Sequence, residues 1–399
     1  MELIEELLTR GVDTIYPSKE ELEKVLRSGK TLKLYQGFDP TGTQLHIGHM
    51  AGLRKLKQWQ ALGHEVIFLI GDFTGVVGDP SGKTTARKML TREEVLKNAA
   101  MYKEQAGKIL NFQGTNPIQI RYNSEWLDKL SGLEFIKIAG LLSVQQVIER
   151  DLFQERKKQG QDVFMNEFLY PVMQAYDSVA MEVDLEIGGT DQMFNMLMGR
   201  KLMRHMLKKE KFVMTTPLLT DSQGKKIGKT EGNVIALSDE PSDLFAKIMA
   251  LGDDVLIKSL EYLTDVPLSK IQIIEQELKD GENPMKYKKL LAYEVVMQLN
   301  SADEAQKAQE VFEKTVQKKE LPDEIIEIQL SADDEEFISE KLLVDLNLAS
   351  SKAEAKRLFQ QGGVEYNGQR IKIGDDSIKV QDNALLKIGK RKIVKLKIA

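Results

Sequence analysis

The segment Leu45-His46-Ile47-Gly48-His49 holds two of the four histidines in this 399-residue chain. At the start of a helix, residues three apart share a face, so both imidazoles could meet one ligand above the amino end. Gly48 would let a flat ring or a phosphate approach the backbone, and the helix terminus supplies unpaired N–H groups and partial positive charge. The pattern predicts a nucleotide seat. One core and one surface histidine, or a metal-binding pair, would have the same spacing.

A second candidate is the segment from Gly71 to Thr84, which is similar to a phosphate-binding P-loop. It departs from that motif because Val77 stands where a glycine is needed. The segment instead offers a carboxylate, Asp79, that could hold an ammonium group, and two cations, Lys83 and Arg87, that could hold phosphates. A tight turn with charges facing solvent is the alternative interpretation.

The third candidate, Gly224 to Asn233, contains three lysines among three glycines, in the order Gly-Lys-Lys-Ile-Gly-Lys-Thr-Glu-Gly-Asn. Such a segment is too flexible to be a structural element and too basic to be a simple linker. Mobile ammonium groups that close on a pyrophosphate would use both properties. A solvated loop is the alternative.

A polar stripe is predicted where Tyr170, Gln174 and Asp177 follow one another at i, i+4 and i+7. On a helix these positions share one face and bring together a phenol, an amide and a carboxylate. The helix is otherwise apolar, so the stripe indicates a polar ligand, with a buried water cluster as the alternative. The segment Glu186-Ile-Gly-Gly-Thr-Asp-Gln192 follows it.

Alternating strands and helices must position these loops. Strands are predicted at 31–35, 64–71, 117–122 and 183–187, and a helix at about 46–62. This order predicts a parallel sheet covered on both faces, whose ligands bind at the carboxyl ends of the strands.

The rest of the chain has a different pattern. Residues 238–318 read as helices throughout. In the tail, Ser351 to Glu354 has the spacing of a capping box for a helix that ends at Gly362-Gly363. The pair Asn367-Gly368 predicts a hairpin within 364–372.

Charge separates a basic tail from an acidic body. From Lys341 to Ala399 there are 13 basic and 6 acidic residues, although the net charge of the whole chain is -5. Glu320 to Glu340 holds nine acidic residues and no basic one, which predicts a linker. A basic module on an acidic body indicates a polyanionic partner, and scattered surface lysines are the alternative.

Composition excludes several classes of protein. The chain has no cysteine, which removes disulfide frameworks, thiol nucleophiles, thiolate zinc sites and iron–sulfur clusters. No apolar run approaches the length of a membrane span, and the acidic start lacks the pattern of a secretory signal. A cytoplasmic protein is predicted.

Taken together, the motifs resemble those of a class I aminoacyl-tRNA synthetase, of the bacterial tyrosyl type. His46 to His49 are similar to the HIGH signature, and Lys226 to Thr230 to the KMSKS loop in its K-x-G-K-T form. Three further blocks match in order: Tyr35-Gln-Gly-Phe-Asp-Pro-Thr41, Gly78-Asp-Pro-Ser-Gly-Lys83 and Gly188-Gly-Thr-Asp-Gln192. The resemblance covers nearly the whole chain.

The resemblance implies an α/β fold with a Rossmann-like parallel-sheet catalytic domain, an all-helical domain and a small α+β RNA-binding domain. The implied boundaries are 1–222 for the catalytic domain, with an insertion at about 126–164, 223–237 for the KMSKS-type loop, 238–318 for the helical anticodon-binding domain, 319–340 for the acidic linker and 341–399 for the alpha-L RNA-binding motif.

The resemblance also implies roles for individual residues. Tyrosine would be bound by Tyr35, Gly37, Thr74, Asp79, Tyr170, Gln174 and Asp177. ATP or the adenylate would meet Asp39, Thr41, His46, Gly48, His49, Gly189, Asp191, Gln192 and Lys229. Catalysis would use the two histidines with Lys83, Arg87, Lys226, Lys229 and Thr230. RNA would contact Lys352, Lys356, Arg357, Lys390, Arg391 and Lys392.

Three positions depart from the better-known family pattern. Gln36 stands where several relatives have cysteine, Gly52 where some have threonine, and Glu186 where others have glutamine. All three are expected to tune affinity rather than identity, and Glu186 places a negative charge near the amino-acid site.

The implied activity is ATP-dependent formation of tyrosyl-adenylate followed by transfer of tyrosine to tRNA(Tyr), with Mg²⁺ as the counter-ion of ATP and no structural metal. A homodimer with contacts in 126–164 is also implied. Other interpretations are a non-catalytic RNA-binding paralogue, another nucleotidyltransferase, or a tryptophanyl enzyme of the same fold. Tyrosine-dependent exchange of pyrophosphate into ATP separates them.

Overall fold

The computed structural model describes residues 3–81, 89–148, 151–221, 223–224, 226–227, 229–230, 233–317, 326–330, 338–349, 351–371, 378–389 and 392–398. The chain divides into two compact units, one formed by residues 1–239 and 251–300 and the other by residues 240–250 and 301–399. The segment 238–318 therefore contributes to both units. The functional domain boundaries stay predictions.

The α-helices, in chain order, are α1 (Leu3–Thr9), α2 (Lys19–Arg27), α3 (Ile47–Ala61), α4 (Thr74–Val77), α5 (Arg92–Ala99), α6 (Tyr102–Gly107), α7 (Ser124–Leu127), α8 (Gly132–Ala139), α9 (Val144–Ile148), α10 (Asp151–Lys158), α11 (Met165–Met181), α12 (Met193–Leu207), α13 (Pro241–Met249), α14 (Leu256–Leu263), α15 (Leu268–Lys279), α16 (Pro284–Leu299), α17 (Ala302–Phe312), α18 (Glu340–Asp345) and α19 (Lys352–Gln360). Thr190–Gln192 and Asp253–Val255 are 3-10 helices, and Glu313–Gln317 is a π-helix.

The strands are β1 (Thr14–Tyr16), β2 (Lys33–Phe38), β3 (Glu65–Ile70), β4 (Gln119–Tyr122), β5 (Leu185–Gly189), β6 (Phe212–Thr216), β7 (Lys229–Thr230), β8 (Asn233–Val234), β9 (Ile326–Leu330), β10 (Val364–Tyr366), β11 (Gln369–Arg370), β12 (Ala384–Ile388) and β13 (Lys392–Ile398).

Six of the described strands form the sheet of the first unit, in the order β1-β6-β5-β2-β3-β4. The pairs β2–β3, β2–β5, β3–β4 and β5–β6 are parallel, and β1 joins the edge antiparallel to β6. The chain leaves β2 for β3 on one side and returns to β5 on the other. A crevice is therefore expected beyond the carboxyl ends of β2 and β5. The predicted parallel sheet is confirmed.

The register of this sheet sets two side chains beside each other. Tyr35 of β2 pairs with Glu186 of β5, and paired residues of neighbouring strands project from the same face. Tyr35 is 1% exposed and Glu186 is 2% exposed. A phenol and a carboxylate are therefore adjacent in the interior of the first unit.

Helices α3 and α11 carry most of the predicted site. Helix α3 begins at Ile47, where a histidine is the N-cap residue, close to the predicted start. Helix α11 packs against α12, and its apolar side chains, such as Val172 and Val179, share one core with Ile67 and Met198.

The second unit ends in a five-stranded sheet, among the described residues, in the order β11-β10-β12-β13-β9. The predicted hairpin is confirmed, because Glu365 pairs with Arg370 across the turn. Asn367 and Gly368 both have positive φ, 47° and 82°, as a tight two-residue hairpin turn requires. Ser351 caps α19 by accepting a 3.2 Å hydrogen bond from the Glu354 N–H.

The predicted acidic linker, 319–340, contains a strand that was not predicted. Ile326–Leu330 forms β9 and pairs in parallel with β13. Its sequence alternates apolar and polar residues, as a half-buried strand requires, and Glu327 pairs with Lys395 at 3.5 Å and with Lys397 at 2.7 Å. The acidic composition concealed a strand whose carboxylate faces a basic neighbour.

Other elements were not predicted. Among them, β1 and β6 lie at one edge of the first sheet and are short. The glycine-lysine segment 224–233 was expected to hold no regular structure, but β7 and β8 pair antiparallel there, with Lys229 opposite Val234.

Candidate active site

The two histidines at the start of α3 stack on each other, with ring centroids 3.9 Å apart. His46 Nδ1 accepts a 3.1 Å hydrogen bond from the Gly48 N–H, and His49 Nδ1 accepts one of 3.1 Å from the His46 N–H. Because Nδ1 is the acceptor in both rings, the proton of each neutral imidazole lies on Nε2. Each ring therefore has an N–H donor suited to a phosphate oxygen.

The residues just after the basic segment 224–233 bind the start of α3 through the backbone, and Ile227 of the segment itself lies close to Gly48. The Ile47 N–H donates to Ile235 O at 3.0 Å, and the Leu237 N–H donates to Leu45 O at 2.9 Å. A Cβ at Gly48 would lie 2.9 Å from the His46 ring and 3.5 Å from Ile227 O. Two motifs far apart in the sequence are thus neighbours, and glycine is needed for this close approach.

The carboxylate of Asp39, just after β2, has two partners from other elements. Thr74, at the start of α4, donates to Oδ1 at 2.7 Å, and the Tyr170 hydroxyl of α11 donates to Oδ2 at 2.8 Å. Tyr170 is buried, and desolvation together with the charge of Asp39 raises its pKa well above the usual value. Its hydroxyl therefore stays protonated and acts as a donor.

Asp177 of α11 is 2% exposed. It accepts a 2.8 Å hydrogen bond from Trp126 Nε1 and one of 3.4 Å from Asn123 Nδ2. Burial raises the pKa of this carboxyl well above its usual value, and the two hydrogen bonds oppose that rise. A buried carboxylate with few donors is suited to accept a further hydrogen bond from a ligand.

Tyr35 was paired with Asp177 in the prediction, but its hydroxyl lies 3.0 Å from the Oγ of the next residue, Ser178. Burial, with the charges of Glu186 and Asp177, raises the pKa of Tyr35 well above its usual value. Gln174 Nε2 donates to Glu186 Oε1 at 3.1 Å. That Tyr35 and Asp177 share a ligand stays a prediction.

Asp79 belongs to a network of amides. Its Oδ2 accepts a 2.7 Å hydrogen bond from Gln192 Nε2, and its Oδ1 accepts from the Ser81 hydroxyl at 2.6 Å. Asn195 of α12 donates to Gln192 Oε1 at 3.1 Å and to Gln174 Oε1 at 2.9 Å. The predicted amino-acid and nucleotide residues are therefore joined through one buried asparagine.

Lys226, the lysine of the basic segment whose side chain is described, pairs with Asp191 at 2.7 Å. Lys226 is 46% exposed, so this pair alone contributes little to stability. An exposed ammonium that is held near the end of β5 can exchange its carboxylate partner for a phosphate at little cost.

The electrostatics of the site favour a cation at one end. Asp39, Asp79, Asp177 and Glu186 come close together through the contacts above, whereas Lys211 is the buried cation among the described partners of these four. An excess of carboxylates around polar side chains suits an ammonium group. The histidine pair and Lys226 provide donors for an anion.

The structure locates the other predicted residues as follows. Gly37 lies in β2, Thr41 is half-buried after Asp39, and Gly189 ends β5, where a Cβ would lie 2.8 Å from Asp191 Oδ1. Lys83 and Arg87 lie outside the described residues, as do Lys390 and Arg391. Lys229 and Thr230 form β7 and Lys392 begins β13, but their side chains are outside the description.

The predicted RNA contacts that can be described lie on α19. Lys352, Lys356 and Arg357 are exposed, whereas Ala355 and Phe359 of the same helix are buried in the core of the second unit. The helix thus presents basic residues to solvent and apolar residues to the sheet.

Several residues of this network were not predicted. These residues lie outside the family blocks, and their spacing in the sequence does not indicate a role in the site: Asn123, Trp126, Ser178, Asn195 and Lys211. The nearest signal was for Ser178, which follows Asp177 on a helix already predicted to carry polar groups. Within the described ranges, no group of three His, Asp or Glu side chains could hold a metal ion, and no helix has the length and apolar character of a membrane span.

Comparisons with known proteins match both parts of the chain. The family described as tRNA synthetases class I (W and Y) matches residues 27–317, and the S4 domain matches residues 340–383. A tyrosine–tRNA ligase of Thermotoga maritima is 43% identical over 98% of this chain and 96% of its own length. Tyrosine–tRNA ligase 2 of Pseudoalteromonas translucida is 42% identical over 98% of each chain.

A solved structure gives the same result. A C-terminally truncated mitochondrial tyrosyl-tRNA synthetase of Coccidioides posadasii superposes with a TM-score of 0.64 at 25% identity, covering 77% of this chain and 91% of that chain. The likeness to the matched family is therefore one of sequence and of fold.

Proposed function

This chain belongs to the class I tRNA synthetases of the tryptophan and tyrosine group and is a tyrosine–tRNA ligase, and from this premise we propose how its residues divide the work. Tyrosine, ATP and tRNA are its substrates. We propose that the tyrosine lies along the polar stripe of α11, with its phenol at Tyr35 and Asp177 and its ammonium group at Asp79, Tyr170 and Gln174.

The observation that carries this assignment is the set of hydrogen bonds made by α11. Tyr170 donates to Asp39, Gln174 donates to Glu186, and Asp177 accepts from Trp126. A carboxylate at each end of one helical stripe suits an amino acid that has an ammonium group at one end and a phenolic O–H at the other. Thr74 and Gly37 line the same region in this proposal.

For ATP, we propose a seat over the start of α3. The two imidazole Nε2–H groups and the backbone at Gly48 would meet phosphate oxygens, with help from the helix terminus. Asp39, Thr41, Gly189, Asp191 and Gln192 would contact the nucleoside. Mg²⁺ would arrive as the counter-ion of ATP and be held mainly by phosphate oxygens, because it dehydrates reluctantly.

In the first reaction, the tyrosine carboxylate oxygen bonds to the α-phosphorus of ATP, and the bond from that phosphorus to the pyrophosphate oxygen breaks. The nucleophile is already ionised at pH 7, so the step needs no general base. Catalysis is then positioning and stabilisation of charge. Lys226 would leave Asp191 for the departing pyrophosphate, joined by Lys83, Arg87, Lys229 and Thr230.

Selectivity against phenylalanine follows from burial. Without a phenolic O–H, the buried hydroxyl of Tyr35 and the carboxylate of Asp177 would lose a partner that they had in the complex. A site of this kind rejects the analogue strongly, and the known case is a tyrosyl-tRNA synthetase itself, with discrimination of about 10^5.

For the assembled enzyme, we propose a homodimer in the cytoplasm, where tRNA and ATP are available. Support comes from apolar side chains in the region 126–164 and just beyond it: Leu133, Ile136, Val144, Phe164 and Met165 are between 53% and 73% exposed. Large exposed apolar side chains that are concentrated in one region of the chain favour an interaction surface. The exposed basic residues of α19, with Lys390, Arg391 and Lys392, would contact the tRNA backbone.

Exchange of labelled pyrophosphate into ATP tests the activation step. We expect exchange that depends on tyrosine and is not supported by tryptophan. Binding of tRNA without such exchange would instead indicate a non-catalytic paralogue.

A further inference from the structure

A buried ion pair lies beside the proposed phenol site. The Lys211 side chain is fully buried and Glu186 is nearly so, and the ammonium contacts Glu186 Oε2. Lys211 Nζ also donates a 2.8 Å hydrogen bond to Ser178 Oγ, which lies 3.0 Å from the Tyr35 hydroxyl. Four polar side chains, from β2, α11, β5 and the residue just before β6, thus form a series of contacts that ends at Tyr35.

The neighbouring helix leaves room for this pair. Gly199 lies inside α12, where glycine is unfavourable by roughly 1 kcal/mol relative to alanine. A Cβ at this position would lie 2.6 Å from Lys211 Nζ, 2.9 Å from Ser178 Oγ and 3.4 Å from Glu186 Oε2. The glycine is therefore explained by the space that the ion pair occupies.

The hydrogens of this series of contacts can be assigned from Lys211 outward. An ammonium group only donates, so Ser178 Oγ accepts from Lys211. The single hydroxyl hydrogen of Ser178 then has two acceptors within reach, Glu186 Oε2 at 3.3 Å and Tyr35 Oη at 3.0 Å. Which acceptor takes it decides whether Tyr35 must donate back to Ser178 or can donate to Glu186 or to a ligand, and a Glu186 whose charge is compensated competes less for this hydrogen.

A carboxylate is the stronger acceptor unless its charge is compensated. Lys211 compensates Glu186, which leaves the Ser178 hydrogen for Tyr35. The Tyr35 hydrogen then points away from Ser178 and toward the ligand. A substrate phenol that donates its own hydrogen to Asp177 has an oxygen that can accept from Tyr35, so the hydroxyl hydrogens of Ser178, Tyr35 and the substrate each have an acceptor.

We propose that Lys211 is a specificity-determining positioning residue, which directs the Tyr35 hydroxyl toward the substrate phenol through Ser178 and by neutralising Glu186. This proposal rests on the proposed binding of the phenol at Tyr35 and Asp177. It gives Glu186, which departs from the family pattern, a part in holding Lys211. Burial lowers the pKa of Lys211, and the charge of Glu186 opposes that effect.

The test compares tyrosine with phenylalanine as substrates of pyrophosphate exchange in the full-length enzyme, for the Lys211→Met and Ser178→Ala variants. Phenylalanine has no hydroxyl to receive the Tyr35 hydrogen. We therefore expect kcat/KM for tyrosine to fall about 10- to 100-fold in both variants, while the value for phenylalanine changes little. A merely structural role would lower both values by a similar factor, and that result would overturn the proposal.

Ser178→Ala keeps the ion pair and removes only a hydroxyl, so it decides the matter if Lys211→Met fails to fold. The effects must also be coupled, because the residues act in series. In a Tyr35→Phe background, Ser178→Ala should cause no further loss of discrimination. If the losses of discrimination in Tyr35→Phe and Ser178→Ala were instead independent and additive, the proposed action of Ser178 through Tyr35 would be contradicted.

Tyr35→Phe separates the two levels of inference. If it leaves the ratio of the two kcat/KM values unchanged, the proposed phenol site is wrong. If Tyr35→Phe lowers the ratio while Lys211→Met and Ser178→Ala both leave the ratio at the wild-type value, the phenol site is supported. The proposed role of Lys211 and Ser178 is then refuted.

Discussion

The hydroxyl of Tyr170 donates a 2.8 Å hydrogen bond to Asp39 Oδ2 and so joins α11 to the carboxyl end of β2. The family pattern gives these two residues to different substrates, tyrosine and ATP. Their direct contact means that a change at one should affect the binding of both.

Tyr170→Phe should therefore raise KM for tyrosine and for ATP. Loss of a donor to a half-buried carboxylate costs about 1 to 3 kcal/mol, or roughly 5- to 150-fold in kcat/KM. Pyrophosphate exchange measures both constants. As a control, Tyr176→Phe removes the same hydroxyl from a half-buried position on the same helix and should leave both KM values unchanged. If Tyr170→Phe raised KM for tyrosine alone, Asp39 would not contact ATP.

We expect Asp177 to lower the stability of the folded protein while it contributes to the binding of tyrosine. Its pKa is raised in the folded chain, chiefly by burial, so the folded state holds a proton that the unfolded state releases, and stability falls as pH rises above the ordinary value near 3.8. Asp177→Asn has no carboxylate to ionise. We expect it to unfold at a higher temperature at pH 7 than the parent while losing several kcal/mol of transition-state stabilisation for tyrosine.

Asp184 serves as a control, because its pKa is shifted in the opposite direction to that of Asp177. Burial, which would raise its pKa, is outweighed by the Lys33 N–H at 2.9 Å and by Lys209 and Lys30, so the pKa is lowered. Its contribution to stability is present above the ordinary value and is lost as pH falls below it. Asp184→Asn should lower the melting temperature at pH 7 and keep the exchange activity, and the same sign of change in both variants would contradict the assignment of Asp177.

Much of the site followed from the sequence because its residues belong to local patterns. The helix start at His46, the stripe on α11 and the Asn367-Gly368 turn each depend on spacings of a few residues, which a helix or a turn converts directly into geometry. Asn123, Ser178 and Lys211 contact the site through the sheet and through packing between helices. Such contacts depend on register, and a single polar residue carries no register signal.

The C-terminal unit shows the same limit from another side. The acidic composition of 320–340 predicted a linker, and the apolar alternation of Ile326, Ile328 and Leu330, which is typical of a strand, was not used. The strand became evident only from its partner, because Glu327 pairs with lysines of β13. The strand therefore depends on pairing between segments some 70 residues apart in the sequence, which local composition does not reveal.

RNA binding should depend on the exposed basic face of α19. Lys356→Gln should weaken tRNA binding and reduce the slope of log affinity against log salt concentration by about 1, while tyrosine activation without tRNA is unchanged. Filter binding at several salt concentrations measures the slope. As a control, Lys24→Gln removes an exposed charge from α2 in the other unit and should leave both the affinity for tRNA and the slope unchanged. Equal slopes for Lys356→Gln and the parent would exclude a phosphate contact at Lys356.

The exposed apolar residues of α8 predict the subunit contact. Ile136 is 67% exposed, so Ile136→Asp should not disturb the core, but a buried carboxylate in an interface without a partner is costly. We expect sedimentation velocity to show a shift from dimer to monomer. Ile273, on α15, is 59% exposed, and Ile273→Asp is the matched control. If both variants sediment like the parent, the contact lies elsewhere.

Lys55 predicts a pH dependence of stability that has no connection with catalysis. Its side chain is 3% exposed in α3, and Nζ donates to Leu7 O at 2.9 Å and to Arg10 O at 2.7 Å. Burial, followed by the charges of Arg10 and Arg54, lowers its pKa from 10.5 to about 7. Glu6 and Glu261 oppose this shift without cancelling it.

Between pH 7 and 10.5 the unfolded chain therefore binds a proton at Lys55 that the folded chain mostly lacks. The free energy of unfolding should rise with pH across this window, by at most about 1.4 kcal/mol per pH unit from this residue. Lys55→Met removes that part of the slope, although it also loses two hydrogen bonds. Urea unfolding at pH 7, 8 and 9 measures the slope, and Lys57→Met, exposed on the same helix, should keep it. Parallel curves for the parent and Lys55→Met would mean that Lys55 is charged in the folded protein throughout this range.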